Sequence, residues 1–343
     1  MTTSRAVVGG AAGLLVLLAA ACSGSASGAG PAAKSTSAGP AAYAQLTTAQ
    51  AYAAFSTFLP QFSDLSAHPA NIGRLTTGPE RQVLVASDGA VGPAVGDVTD
   101  TRILVPELTG YPRWFVAAGT KSSSGEGVLF VLVQHAAGAP WQETAELYDL
   151  GGQTQILSDL TAAGFGAAAT AQTVPGLGAP LAMQPAQLPA EYAQYLNDRE
   201  TGKQRGRFKA GVYTTGLVSL ERTASAGAPP AGWKYADTQA AAGLPQYALR
   251  LPAGDGAAVI FFSIDTTTWT AMSARARLPA SSYAGLSLPP LPILKSLGIT
   301  SPHAGLRVSV EAVDENLAFV GPPGSTGVTI VANAGRVIKL SKS

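Results

Sequence analysis

Apolar residues recur every three or four positions early in the chain, which is the spacing of a helix with one buried face. Residues 46–59 show this pattern most clearly, through Tyr52, Phe55 and Leu59. Thr47 or Thr48 is placed to cap the start of the helix, and Pro60 is expected to end it. The sequence therefore predicts an amphipathic helix at the start of the folded part.

Beyond residue 100 the apolar residues alternate with polar ones or form short continuous runs, and both patterns predict β-strands. Short helices are first predicted at residues 71–76 and 80–86. The strands that follow are predicted at residues 102–105, 114–118, 128–134 and 141–148. The Ser- and Gly-rich residues 121–127 predict a hairpin turn between the second and third of these strands.

The same order, a helix and then strands, is repeated in the second half of the chain. A helix is predicted at 190–200, and strands at 208–218, 246–251, 257–264, 307–313, 317–320 and 328–332. In each half an apolar strand, a tight turn and a strongly apolar strand follow the helix, which indicates a weak internal repeat. The alternative is that similar hairpins belong to one larger sheet.

Helices followed by runs of strands favour an α+β fold with antiparallel sheets. The strands at residues 128–133 and 257–264 are apolar without alternation, so both of their sides are expected to be covered. Because one helix covers only one face of a sheet, we expect the other sheet faces to pack against each other or against a partner.

The only cysteine, Cys22, follows a segment with the layout of an export signal: one cation, an uncharged stretch at residues 6–18 and three alanines. That stretch rises about 20 Å as a helix, which is too short for a hydrocarbon core of about 30 Å. A retained transmembrane anchor is therefore the weaker interpretation. The other alternative to a lipoprotein is an ordinary signal peptide cut near Ala21, which leaves a free thiol.

The run Leu18-Ala19-Ala20-Ala21-Cys22 resembles the bacterial lipobox, with Ala19 at the place where Leu is usual. The resemblance implies that Cys22 becomes the first mature residue and carries acyl chains such as palmitate. Residues 23–42 contain one charge, Lys34, and almost nothing that can enter a core, which is typical of a flexible tether. Two or more acyl chains, at about 0.8 kcal/mol per buried carbon, give stable anchoring. The expected location is the extracytoplasmic face of the cell membrane.

The charge balance excludes one class of partner. Removal of residues 1–21 takes away Arg5, which leaves 21 basic residues (22 − 1) against 21 acidic ones. A neutral chain with 13% charged residues lacks the positive charge on which nucleic-acid binding depends, so no nucleic-acid partner is expected. Since one cysteine forms no internal disulfide, stability must come from burial, and 46% hydrophobic residues make that feasible.

These features divide the chain into five segments. They are a lipoprotein signal peptide (1–21), the lipidated cysteine with a disordered tether (22–44), a first α+β module (45–150), a linker (151–189) and a second α+β module (190–343). The linker is rich in Pro and Gly, with a short helix predicted at 156–162.

The sequence contains no motif that predicts a catalytic, cofactor or metal site. The three histidines lie far apart, each beside Pro or Ala: His68, His135 and His303. Gly202-Lys203 lacks the glycine at residue 197 and the Ser or Thr at residue 204 that a phosphate-binding loop requires. The charged residues between 198 and 207 indicate either a solvated helix end or a contact surface for an acidic partner.

Two further segments allow a structural and a functional interpretation. In a regular strand Glu143 and Asp149 share one face and Glu146 lies on the other, so these are expected to be solvent-facing edge charges and not a carboxylate triad. The segment Tyr111–Phe115 is interpreted as the start of a core strand with an exposed Arg flank. The functional alternative is the rim of a ligand cleft, formed by Tyr111, Arg113 and Trp114.

Two motifs, Leu75-Thr76-Thr77-Gly78-Pro79-Glu80 and Tyr111-Pro112-Arg113-Trp114-Phe115, resemble exported actinobacterial lipoproteins of an uncharacterised family. The resemblance implies tandem NTF2-like or cystatin-like modules, in which a curved antiparallel sheet wraps a helix, and a location in the cell envelope. It carries over no catalytic residue.

The sequence therefore predicts a non-catalytic, lipid-anchored envelope protein that binds a protein partner or a hydrophobic ligand. One alternative is a carrier that holds a hydrophobic small molecule in an NTF2-like cavity. The other is an enzyme whose acid/base pair is assembled from residues far apart in the sequence.

Overall fold

Two antiparallel β-sheets form the centre of the computed structural model, and a helix packs on one face of each. The structure describes residues 45–87, 89, 98–122, 124–148, 155–162, 180–198, 206–227, 232–250, 256–273, 295, 297–299 and 303–343. These residues belong to one compact unit, Ala42–Ser343. The predicted α+β class is confirmed, whereas the signal peptide, Cys22, the tether and most of the linker lie outside the described residues.

The first sheet follows three helices in the sequence. These are α1 (Thr48–Ser63), α2 (Ile72–Leu75) and α3 (Gly78–Ala86). The strands pair in sequence order: β1 (Val98–Leu104), β2 (Arg113–Lys121), β3 (Gly127–Gln134) and β4 (Gln142–Tyr148). β4 is therefore an edge strand, which matters for the charged residues described below.

The second sheet is longer, and its strands do not all pair in sequence order. The helices before it are α4 (Gln155–Ala162), α5 (Leu188–Asn197) and α6 (Leu217–Gly227). Its strands are β5 (Trp233–Ala241), β6 (Tyr247–Arg250), β7 (Ala258–Met272), β8 (Arg307–Val320) and β9 (Thr329–Lys342). They are ordered β5-β7-β8-β9, and β6 also pairs with β7.

β3 is buried on both of its faces. Leu129 and Val131 pack in a core shared with the second sheet, which supplies Phe261 and Leu317 among others. The residues between them face the other way, into a core closed by α1: Val128, Phe130 and Leu132. This confirms the expectation that the uncovered faces of the two sheets pack against each other.

Two of the element predictions differ from the structure, one at the end of a helix and one in a strand. α1 continues through Pro60 to Ser63, and the Gln61 side-chain amide donates to the carbonyl oxygen of Thr57 at 2.8 Å. The strand predicted at 208–218 is reduced to a bridge at Phe208, followed by helical turns that lead into α6. There the Thr214 hydroxyl donates to the carbonyl oxygen of Lys209 at 2.6 Å, a bond that competes with strand pairing.

Among the helices in the described part of the chain, none combines the length and the hydropathy needed to cross a membrane.

Candidate functional site

A groove opens on the surface of the first half, between α1, α2 and the turn that leads into β4. Its volume is about 420 Å³. Phe58, Leu75 and Trp141 form an apolar floor, and Ala53 and Pro140 lie on its walls. A concave site of this size with mostly apolar walls is typical of a small-molecule site.

The two aromatic rings of the groove floor are held in place by contacts with buried core residues. Trp141 packs edge-on against the buried Phe115, with ring centroids 4.8 Å apart. Phe58 stacks on the buried Phe62 at 5.2 Å. Because these rings are held by interior neighbours, the groove is largely preformed.

The groove carries one charged lining residue, Arg74, which is exposed at its rim. The Arg74 Nη2 donates to the side-chain oxygen of Gln61 at 3.0 Å, and its Nε donates to that of Asn71 at 3.4 Å. Both partners are neutral, and within the described ranges no carboxylate lies at ion-pair distance from Arg74. The rim therefore presents a positive charge that no described residue neutralises.

Several other polar groups of the groove are bonded within the protein. The Thr57 hydroxyl donates to the carbonyl oxygen of Ala53 at 2.9 Å. In the turn before β4, the carbonyl oxygen of Ala139 accepts a hydrogen bond from the Gln134 side chain at 2.8 Å. The N–H of Ala139 donates to the carbonyl oxygen of Ala136 at 3.1 Å. Pro140 has no N–H to offer.

A second cluster, buried where β4 meets the second sheet, is made of charged residues. We call it the buried charge cluster, and its members are Glu80, Glu143, Glu146, Glu315, Arg336 and Lys121. They come from α3, the first sheet and the second sheet. Four carboxylates therefore share the interior with two cations.

Glu143 and Glu146 reach this cluster because β4 contains a bulge. Val131 pairs with Ala145, but the next residue, Leu132, pairs with Glu143, so that one residue of β4 is left over. The expectation that Glu143 and Glu146 are solvent-facing edge charges is wrong, since both are fully or almost fully buried. Asp149 lies outside the described residues.

Arg336 on β9 is the centre of the buried charge cluster. It forms a bidentate ion pair with Glu80 and further contacts with Glu315 and with Glu146, the last at 3.5 Å. The Lys121 ammonium lies 3.4 Å from Glu146. These contacts connect α3 and β4 of the first half to β8 and β9 of the second.

The cluster also closes the exposed edge of β4. The N–H of Glu146 donates to the Glu315 carboxylate at 3.0 Å, and the Glu143 carbonyl oxygen accepts from the N–H of Thr77 at 2.8 Å. Backbone groups that an edge strand would otherwise present to solvent are thus bonded inside the protein.

Burial controls the protonation of the carboxylates. Desolvation raises the pKa of Glu143 well above its ordinary value, and the negative charges of Glu80 and Glu146 raise it further. Desolvation also raises the pKa of Glu80, and it raises the pKa of Glu315 to about 8 in spite of Arg336. Neither carboxylate oxygen of Glu143 has a hydrogen-bonding partner among the described residues, so no hydrogen bond offsets the cost of burying its charged form.

A small cavity adjoins the buried charge cluster. It is lined by Thr144, Tyr247 and Glu315 among others and holds about 10 Å³, roughly the space of one water molecule. The contacts of the cluster itself join the two halves of the chain.

The residues that the sequence indicated as a cleft rim do not line the groove described above. Trp114 is buried between the sheets, with its ring centroid 5.2 Å from that of Tyr247. Arg113 lies over the ring of Tyr111 at 4.7 Å. Trp114 is thus part of the core strand, and the three residues form no common rim with Arg74.

The described histidines and acidic residues form no group that could hold a metal ion. His68 pairs with Asp64 at 2.8 Å on an exposed helix end. Sequence reasoning missed the groove because its walls come from three separate segments. Sequence reasoning missed Arg336 because its ion-pair partner Glu80 is 256 positions away in the sequence.

A protein-family model described as a domain of unknown function (DUF8094) matches residues 84–339. The matched region contains the first sheet, all but the end of β9 in the second sheet, and most of the buried charge cluster. The helices α1 and α2, which line the groove, precede it. No curated protein and no solved structure matches the chain. Because the matched region is well over half of the sequence, the chain belongs to the DUF8094 family.

Proposed function

We propose that this protein is anchored to the outer side of the cytoplasmic membrane by lipid on Cys22 and binds a ligand or partner there without catalysing a reaction. In this proposal its two halves are NTF2-like or cystatin-like modules, joined face to face. The export signal, the lipobox-like run and the tether support the anchoring. The groove beside α1 is the observation that supports the binding.

The groove is better suited to binding than the interior of either half. Between α1 and the first sheet the space is filled by aromatic and aliphatic side chains, among them Phe55, Phe62 and Phe130. Between α5 and the second sheet it is filled in the same way, by Tyr192 and Phe262 among others. A ligand therefore has more room in the groove than inside either module.

Photo-crosslinking from the wall of the groove tests this function without knowledge of the ligand. Ala53 lines the groove, whereas its neighbour Tyr52 is exposed on α1 and does not line it. We place a photoreactive benzoyl-phenylalanine at either position in the membrane-anchored chain, irradiate intact cells and measure adducts by intact-mass spectrometry.

The proposal predicts a discrete adduct from position 53 that is absent from position 52. Equal labelling from both positions, or no adduct from position 53, contradicts binding in the groove.

A further inference from the structure

We infer that the groove binds a fatty acid, with its hydrocarbon chain on the apolar floor and its carboxylate on Arg74. This inference rests on the proposed function and names the ligand class of the same site. It is carried by two features of the groove: the apolar surface of its floor and the charge at its rim.

The floor fits a hydrocarbon chain. Phe58, Leu75 and Trp141 offer aromatic and aliphatic surface, and the interior contacts of the two rings hold this surface in place. Burial of apolar surface is favourable for any chain that lies there and needs no specific polar contact. A preformed floor also lowers the entropic cost of binding.

The rim fits a carboxylate head group. Arg74 uses one hydrogen on Nε and one on Nη2 for Asn71 and Gln61, which leaves three of the five guanidinium hydrogens for a ligand (5 − 2 = 3). A guanidinium binds a carboxylate through two parallel hydrogen bonds. The guanidinium of Arg81 lies beside Gly73, the residue before Arg74, and no carboxylate among the described residues pairs with it.

The groove suits a fatty acid better than an extended peptide. A peptide that adds to a strand needs unpaired backbone groups on the protein. Here the N–H and carbonyl oxygen of Ala139 are already bonded, the Thr57 hydroxyl donates to its own helix, and Pro140 has no N–H. A hydrocarbon chain needs no hydrogen bonds from the groove, whereas a bound peptide would leave some of its own backbone N–H and carbonyl groups without hydrogen-bonding partners.

A fatty acid also suits the rim better than a monoacyl phospholipid. A carboxylate uses only the hydrogens that Arg74 leaves free. A glycerophosphate head group brings a hydroxyl and ester oxygens besides its phosphate, so it needs more polar partners than a carboxylate does. Beyond Arg74, the lining residues carry one remaining amide hydrogen of Gln61 and the indole N–H of Trp141.

Titration calorimetry with defined probes tests the ligand class. The probes are dodecanoate, dodecan-1-ol and lysophosphatidic acid with the same chain length, each below its micellar concentration. The protein is the full mature chain from residue 22 with Cys22→Ser. The variants are Arg74→Gln, which removes the charge, and Ala53→Trp, which fills the groove.

Two matched controls keep the test specific. Arg222→Gln removes an exposed arginine on α6, and Tyr52→Trp places the same indole one residue away from the groove. Urea unfolding of every variant shows whether it is folded like the wild type.

The inference predicts that the wild type binds dodecanoate about tenfold or more tightly than dodecan-1-ol and more tightly than lysophosphatidic acid, since a charge-assisted hydrogen bond is lost with the alcohol. Arg74→Gln weakens dodecanoate binding about tenfold and leaves dodecan-1-ol binding unchanged, and Ala53→Trp abolishes both. Unchanged dodecanoate affinity in Arg74→Gln, or tighter binding of lysophosphatidic acid, overturns the inference. If no probe binds but the adduct from position 53 persists, the fatty acid is wrong and the proposed function stands.

Discussion

Glu143 and Glu146 lie on the same face of the first sheet. In a regular strand, two residues that are three positions apart have their side chains on opposite faces. The bulge in β4 supplies the extra residue that reverses the alternation. Both carboxylates consequently enter the interior, where Arg336 contacts Glu146 directly. One irregular pairing thus converts two apparent surface charges into part of the connection between the sheets.

Loss of Arg336 is expected to destabilise the protein strongly. Arg336→Gln removes the cation that pairs with Glu80, Glu146 and Glu315. Among the described residues, Glu80 then has no ion-pair partner, and Glu146 keeps only Lys121. Breaking a buried pair from one side costs about 3–5 kcal/mol. Urea unfolding at neutral pH measures the change in the free energy of unfolding.

Lys339→Gln is the matched control for this experiment. It breaks the ion pair between Lys339 and Glu311, whose side chains are both exposed, and such pairs contribute less than about 1 kcal/mol. Similar losses for Arg336→Gln and Lys339→Gln would contradict a stabilising role of the buried charge cluster.

The stability of the protein is expected to depend on pH through Glu143. Folding raises the pKa of this carboxyl well above its usual 4.5. The contribution of Glu143 to the free energy of unfolding is therefore complete below pH 4.5 and is lost as pH rises toward the pKa of the folded state. Glu143→Gln has no proton to lose. We therefore expect the variant to gain stability relative to the wild type as pH rises above 4.5.

Urea unfolding over this pH range checks the prediction, with Glu107→Gln, an exposed carboxyl in the first half, as the control. Glu315 adds a similar pH dependence in both proteins, because its pKa is raised to about 8. A stability difference between Glu143→Gln and the wild type that is independent of pH would contradict a raised pKa of Glu143 in the folded protein.

The two faces of β3 are expected to be equally important for stability. Leu129 faces the second sheet and Leu132 faces α1, and both are fully buried. Leu129→Ala and Leu132→Ala should each lower the free energy of unfolding by about 2–5 kcal/mol. Leu220→Ala, on the exposed side of α6, should change it by no more than about 0.5 kcal/mol.

Thermal or urea unfolding measures the three variants side by side. If either buried leucine behaves like Leu220, the corresponding face of the sheet is open to water and the face-to-face packing is incorrect.

The apolar periodicity was enough to predict α1 and the central hairpin of each half. It predicted the burial of β3 on two sides because a strand without alternation has no face that favours water. β5 could not be predicted in this way, since polar residues such as Lys234 and Asp237 interrupt it. Its place is fixed by tertiary contacts, including the paired hydrogen bonds between Asn197 and the backbone of Gln239 at 2.7 and 2.9 Å.

The candidate sites were less predictable than the fold. The buried charge cluster depends on a bulge that is visible only in the register of β4 with β3. The groove depends on the approach of α1, α2 and the turn before β4, and no local pattern marks such an approach. What the sequence did offer was Trp141 as an aromatic residue beside Pro140, a signal too common to identify a groove.

Cys22→Ser is expected to release the protein from the membrane. The variant lacks the sulfur to which the lipid is attached, while Ser23→Ala keeps it and serves as the control. Fractionation should show the first in the soluble or secreted fraction and the second in the membrane fraction. Unchanged membrane retention of Cys22→Ser would mean that something other than lipid on Cys22 holds the protein there.

The occupancy of the groove is tested most directly by mass spectrometry of non-covalently bound molecules on protein extracted from its native membrane. The account predicts that the wild type and Tyr52→Trp retain a fatty acid and that Ala53→Trp does not. An equal amount of fatty acid on Ala53→Trp, or none on the wild type, would contradict it.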